Sequence, residues 1–161
     1  MTDMGSSASN KASKKKIKIT HPADILPLLT RWKGRRQENF LAITLDGGHT
    51  VIKIHHITKG LLNRTMVHPR ECFFPTIKDY AAAVIFVHNH PSGSISPSCE
   101  DEDVTSQLCM AGEILGINVL DHIIITKSND YYSFRKEGKI KNKFSYEQIE
   151  KFVAELVAER S

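Results

Sequence analysis

The chain has 161 residues, 40% apolar and 25% charged, proportions that fit one ordinary globular domain. Its longest unbroken apolar stretch, Tyr80 to Val87, is far shorter than the roughly 20 residues needed to span a bilayer, so no membrane segment is expected. Cys72, Cys99 and Cys109 are an odd set without a CxxC pair, which suits a reducing compartment and excludes a Cys-based zinc finger.

The pI near 9.0 is local in origin. Residues 1–18 hold Lys11, Lys14, Lys15, Lys16 and Lys18 against Asp3, which accounts for the whole formal charge of +4 and leaves the rest balanced. This stretch reads as a basic, solvated, disordered tail that can bind nucleic acid only weakly and without sequence choice. It lacks the apolar core of a secretory signal, so a cytoplasmic location is expected.

From His21 to Trp32 a helical stripe of Ile25, Leu26, Leu28, Leu29 and Trp32 follows Pro22, with Pro27 placed to distort it. A charged link, Lys33 to Gln37, leads through Glu38 into a strand over Phe40 to Leu45. Asp46-Gly47-Gly48 signals a turn, and Val51 to Ile57 reads as the partner strand of a hairpin. Pro69 to Tyr80 starts as helices do, with Pro and Glu71 in the first turn, and Phe73 and Phe74 read as core. Ala83 to Val87 is a continuous apolar run typical of a strand buried on both faces. Two prolines and a glycine make 91–97 a loop. Ser98 then caps a helix ending at Gly116. Ile117 to Thr126 is another buried strand, Tyr131 to Phe134 an edge partner, and Ser145 opens a last amphipathic helix with Ile149, Phe152, Val153, Leu156 and Val157 on one face. The order of elements predicts an α/β (α+β) domain with no internal repeat, here divided as tail 1–18, domain 19–140 and C-terminal helix 141–161.

The chemically informative segment is His88-Asn89-His90, with Asp101 beyond it. Side chains two apart on a strand point the same way, so both imidazoles can face one ion. The loop turns the chain back, and Asp101 in the first turn of the next helix can bring a carboxylate to the same point. Two nitrogens and one oxygen are a familiar zinc set that leaves a fourth position for water. Glu38, at the mouth of the first strand, is the candidate general base. Ser98 can act as a helix cap or as an oxyanion donor. His55 and His56 are adjacent and face opposite ways. His68 and His122 read as core or hydrogen-bonding residues, and Cys99 as a helix-start residue that packs or faces solvent.

The run His88-Asn89-His90-Pro91-Ser92-Gly93, with Pro97-Ser98 and Asp101 after it, resembles the JAMM (MPN+, JAB) metalloprotease motif, His-x-His-Pro followed by Ser-x-x-Asp. Val67-His68-Pro69-Arg70-Glu71 and Leu120-Asp121-His122-Ile123 extend the likeness to the RadC family, whose C-terminal half is a JAMM-type domain. The similarity covers residues from near 20 to near 138. It implies a mixed central sheet flanked by helices, in the MPN/JAB-like (cytidine-deaminase-like) architecture. It also implies one Zn2+ held by His88, His90 and Asp101, Ser98 on the oxyanion side, and a glutamate near the first strand as acid/base. Glu38 occupies that place. Glu71 is its rival, with an alternative explanation as a helix-start acid. Longer RadC proteins carry a helix-hairpin-helix region, whereas this chain offers only the Lys-rich tail and so looks like a stand-alone catalytic domain.

The resulting expectation is a zinc metallopeptidase acting on a peptide or protein substrate. A metal-dependent nuclease or DNA-repair accessory role, and a non-catalytic MPN scaffold, are the alternatives. A zinc deaminase is disfavoured because its His-x-Glu and Pro-Cys-x-x-Cys signature is absent.

Overall fold

Every position of β1 (Asn39–Leu45) is buried, as is every position of β3 (Ala83–Asn89). Strands without a polar face must be covered on both sides, and that requirement organises the domain. The computed structural model describes residues 15–61 and 67–160. Together with β2 (Val51–Lys59), β4 (Asn118–Ile125) and β5 (Tyr131–Ser133), these strands form one sheet in the order β2-β1-β3-β4-β5. Only β3 and β4 pair in parallel. A parallel pair needs a crossover, and α3 (Cys99–Leu115) supplies it.

One face of the sheet presents Phe40, Ala42, Val84 and Phe86. They pack with Cys72 and Phe73 of α2 (Pro69–Lys78), with Val104 and Leu108 of α3, and with Phe152 of α4 (Tyr146–Ala158). The other face presents Leu41, Ile43, Leu45, Ile85 and Val87 to Ile19, Ile25, Leu29 and Trp32 of the N-terminal segment. Odd and even residues of one strand thus feed different cores.

Several expectations are corrected. The first helix is a 3-10 helix over Pro22–Leu29 that becomes α-helical only in α1 (Thr30–Lys33). Pro27 lies inside the 3-10 stretch, where its missing N–H keeps regular α-helical bonding from forming. The expected hairpin forms, with β1 and β2 antiparallel; at its turn Asp46 Oδ1 accepts from the N–H groups of Gly48 and Thr50, and His49 is left-handed (φ 61). Phe74 is not core: it is 66% exposed beside a buried Phe73, because consecutive helical residues point about 100° apart. On α4, Phe152 is buried and Leu156 packs on the same core, while Val153 and Val157 face solvent. The expected tail 1–18 is shorter at its end, since the Ile17 carbonyl accepts from Val51 N–H and Lys18 bridges to Thr50. Residues 1–14 lie outside the described residues. Among the described residues, no helix is long and apolar enough to cross a membrane.

The seat of α3 against the sheet depends on Gly112. A Cβ there would lie 2.7 Å from the Ile117 carbonyl oxygen and 2.9 Å from Val119 Cγ2, both held in place by the start of β4. Gly112→Ala is therefore expected to destabilise the domain by about 1–3 kcal/mol in urea unfolding. Gly34→Ala, where an added Cβ meets nothing, should leave the midpoint nearly unchanged.

Candidate metal centre

Open α/β sheets place their sites at the carboxyl ends of parallel strands, and β3 ends in the informative segment. His88 and Asn89 are its last two residues, and the His90 N–H donates to the Ile125 carbonyl of β4, extending the ladder one step further. The chain then loops to Ser98, which opens α3. Ser98 and Asp101 form a reciprocal capping box. The Asp101 N–H donates to Ser98 Oγ at 3.1 Å, and the Ser98 N–H donates to Asp101 Oδ2 at 2.7 Å. That cap fixes the carboxylate, with Oδ1 toward His88 and Oδ2 toward His90.

The three side chains meet at one point. His88 Nε2 lies 2.8 Å from His90 Nε2 and 3.1 Å from Asp101 Oδ1, and His90 Nε2 lies 3.3 Å from Asp101 Oδ2. One ligand atom from each lies within 4.8 Å of the others. His88 and Asp101 are almost wholly buried, and His90 is the partly exposed member.

Hydrogen bonds decide which ring nitrogens face this point. His90 Nδ1 is 2.8 Å from the Ser94 carbonyl, which can only accept, so Nδ1 carries the proton and Nε2 shows its lone pair. A longer chain does the same for His88. The Thr105 hydroxyl donates to the Asp101 carbonyl at 2.6 Å and accepts from His122 Nδ1 at 2.6 Å, while His122 Nε2 accepts from His88 Nδ1 at 2.8 Å. With its donor spent on a carbonyl, Thr105 sets both imidazole tautomers, and His88 Nε2 is left unprotonated. Two nitrogen atoms and a carboxylate converge on one point, where a cation balances the carboxylate charge, and the donor set fits a single metal ion.

Burial, the largest influence, pushes the His88 pKa down against the pull of Asp101, and it holds His122 well below the usual histidine range, helped by the His88 charge. Burial also opposes protonation of His90, but Asp101 and the Ser94 carbonyl outweigh it and the pKa rises. Asp101 is held far below the usual carboxylate range: its burial acts upward and is overcome by the neighbouring His88 and His90, helped by the Ser98 N–H. The carboxylate is therefore ionised at every physiological pH.

Glu38 immediately precedes β1 and is half-buried; its backbone carbonyl accepts from Gly60 N–H. Its charge acts on both His88 and His90. Asn89, which points away from its two histidine neighbours, holds the chain on either side of Glu38. Its Oδ1 accepts from Asn39 N–H at 2.7 Å, and its Nδ2 donates to the Gln37 carbonyl at 3.1 Å. Glu71 instead lines a separate cleft with Lys53, His55, Phe74 and Asp79. His55 binds Asp79 at 2.6 Å, His56 lies against Trp32, His68 caps α2, and Cys99 is exposed. Asn89 and Thr105 are positioning residues that sequence reasoning did not single out. The available signal for Asn89 was an amide between two histidines at the end of a buried strand, because a buried polar group must find partners.

A profile of the RadC-like JAB domain matches residues 19–139. The chain belongs to the RadC family. It is 53% identical over 118 residues to a UPF0758 protein of Methanospirillum hungatei, a match covering 72% of this chain and 52% of that protein. It is 46% identical over 122 residues to one from Trichlorobacter lovleyi (75% and 53% covered) and 45% over 124 residues to one from Staphylococcus haemolyticus (76% and 54%). The chain thus spans about half the length of the curated relatives it matches.

In this RadC-like JAB domain the buried chain behind His88 should govern metal affinity. His122→Ala is expected to weaken divalent-metal binding about 10–100-fold, read by competition with a chromophoric chelator. Thr105→Val, which keeps shape and removes the hydroxyl, should act in the same direction. A saturating ion should also raise the melting temperature of the parent protein, since it binds only the folded site.

Proposed function

We propose that this domain is a zinc-dependent hydrolase of the JAMM type that cuts a peptide or isopeptide amide. The observation that carries the reading is the convergence of His88 Nε2, His90 Nε2 and an Asp101 carboxylate oxygen within 4.8 Å of one another. Nitrogen donors in the majority disfavour Ca2+ and Mg2+, which prefer all-oxygen sites, and suit zinc with an open fourth position. Bound there, zinc would bring the pKa of a water to about 7 and polarise a substrate carbonyl.

The chain's own residues do the rest. Glu38 takes the water proton and delivers it to the departing amine. Asn89 keeps Glu38 in register by holding Gln37 and Asn39. Ser98 uses its oxygen as the helix cap, which leaves the hydroxyl hydrogen to donate to the carbonyl oxygen as charge develops on it. Asp101, ionised throughout, contributes negative charge without entering proton transfer. Of the three candidate ligands, His90 is the one partly exposed to solvent.

Glu38→Gln is expected to keep zinc and lose turnover by about 10²–10⁴-fold, whereas Glu71→Gln should retain it. The substrate for that assay comes from trapping in lysate with Glu38→Gln protein, followed by mass spectrometry. Full activity of Glu38→Gln would remove it from the role of base. Zinc-dependent cleavage of DNA that disappears in His88→Ala would replace the amide reading with a nuclease.

A further inference from the structure

Gln37 and Asn39, the residues flanking Glu38, also line a cleft of about 690 Å³. Its other walls include Trp32, Arg35, Arg36, His56 and Lys59. From Arg31 to Gln37 the sequence carries Arg31, Lys33, Arg35 and Arg36 with no acid among them. Among the described residues, no carboxylate pairs with Arg35, Arg36 or Lys59. Uncompensated like charges held together are unfavourable, and an anion between them removes that repulsion.

Two further features make the cleft a built site rather than a solvated basic edge. Arg35 is pre-oriented: its Nε donates to the Arg31 carbonyl at 3.2 Å and its guanidinium sits 5.7 Å from the Trp32 ring centre, leaving the terminal nitrogens to grip a carboxylate. Trp32 is only 7% exposed, yet its indole Nε1 has no hydrogen-bond acceptor among the described residues. A buried donor without a partner is costly unless something fills the place.

We propose that this cleft binds an acidic side chain of the substrate peptide, held by Arg35, Arg36 and Lys59 against the Trp32 wall. The proposal rests on reading the domain as an amide hydrolase, since the cleft adjoins the residues that carry Glu38. A short acidic peptide fits better than nucleic acid. Beyond residue 18 the chain is charge-balanced, and the cations lining this cleft are Arg35, Arg36 and Lys59, too few for the extended track that a phosphate backbone needs.

Trp32 is the chain's single tryptophan, so its emission reports directly on this cleft. The full chain, zinc-loaded and metal-free, is titrated with a labelled hexaglutamate peptide, its hexaglutamine counterpart and a single-stranded hexanucleotide, reading emission and anisotropy. Hexaglutamate should change Trp32 emission and bind at least tenfold more tightly than hexaglutamine. The double variant Arg36→Glu/Lys59→Glu, which spares the Arg35–Trp32 stack, should lose at least tenfold of that affinity. Should charge reversal prevent folding, judged by circular dichroism and melting temperature, Arg36→Gln/Lys59→Gln takes its place with the same expected direction. Equal affinity for the two peptides, hexaglutamate affinity unchanged in the variant (as binding to the Lys-rich tail would give), or tighter hexanucleotide binding lost in the same variant would each overturn the proposal. Because binding is read without turnover, the two readings fail separately. Absence of zinc uptake with hexaglutamate still held in the cleft defeats the hydrolase and supports the subsite, whereas Glu38-dependent hydrolysis with no preference for acidic peptide defeats the subsite alone.

Discussion

A backbone carbonyl can accept a hydrogen bond but never donate one, and two such groups govern this centre. The Ser94 carbonyl holds the proton of His90 on Nδ1, and the Asp101 carbonyl, acting through Thr105 and His122, holds the proton of His88 on Nδ1. Both Nε2 lone pairs are thereby committed to the same point as the Asp101 carboxylate. The carbonyl at the end of the longer chain belongs to the residue whose side chain supplies the oxygen. One residue of α3 thus positions its own carboxylate and, from behind, the tautomer of a histidine on β3. Burial of His88 and His122 strengthens this, because a desolvated imidazole resists the second proton that would break the chain.

The fold exists around that arrangement in a simple way. A parallel β3–β4 pair requires a crossover helix, and the N-terminus of α3 returns to the carboxyl end of β3 where the histidines are. The capping box that starts α3 satisfies the orphan N–H groups of its first turn, so Asp101 is held by a stabilising interaction independent of any ion. His122 comes from β4, the neighbour of β3, with its ring stacked on Phe134 and edge-on to Phe40. His88, Asp101, Thr105 and His122 are therefore on rigid elements, whereas His90 and its partner Ser94 follow β3 in the connection to α3. Glu38 lies at the end of a loop, and Asn89 compensates by clamping the residues on either side of it.

Charge is distributed with equal economy. The formal excess lies in the N-terminal stretch, while the folded part is neutral as a whole and uneven locally. Acids gather at the start of α3, where Glu100, Asp101 and Glu102 meet the positive end of the helix dipole. Cations gather in the link before β1. These two groups come from the segments that deliver Asp101 and Glu38, so the surroundings of the centre are polarised although the domain carries no net charge.

The strands were legible because β1, β3 and β4 are apolar runs of strand length, and the caps were legible because Ser98, Gly116 and Ser145 sit at the expected ends. His88, His90 and Asp101 could be grouped from strand alternation and helix-start position alone, since both are local properties of the backbone. Pairing order, the exposure of Phe74 and the 3-10 character around Pro27 were not legible in the same way, for they depend on what lies opposite each side chain. The same holds for Asn89, Thr105 and His122, and for the cleft around Trp32. Their partners are distant in sequence: His122 reaches back 34 residues to His88, and Asn89 reaches 50 to Asn39. Local chemistry along the chain determined which atoms could bind a metal ion. Only the tertiary structure decided which nitrogen of each ring faces it and which charges surround it, because a hydrogen bond's direction is set by the partner that folding brings to it.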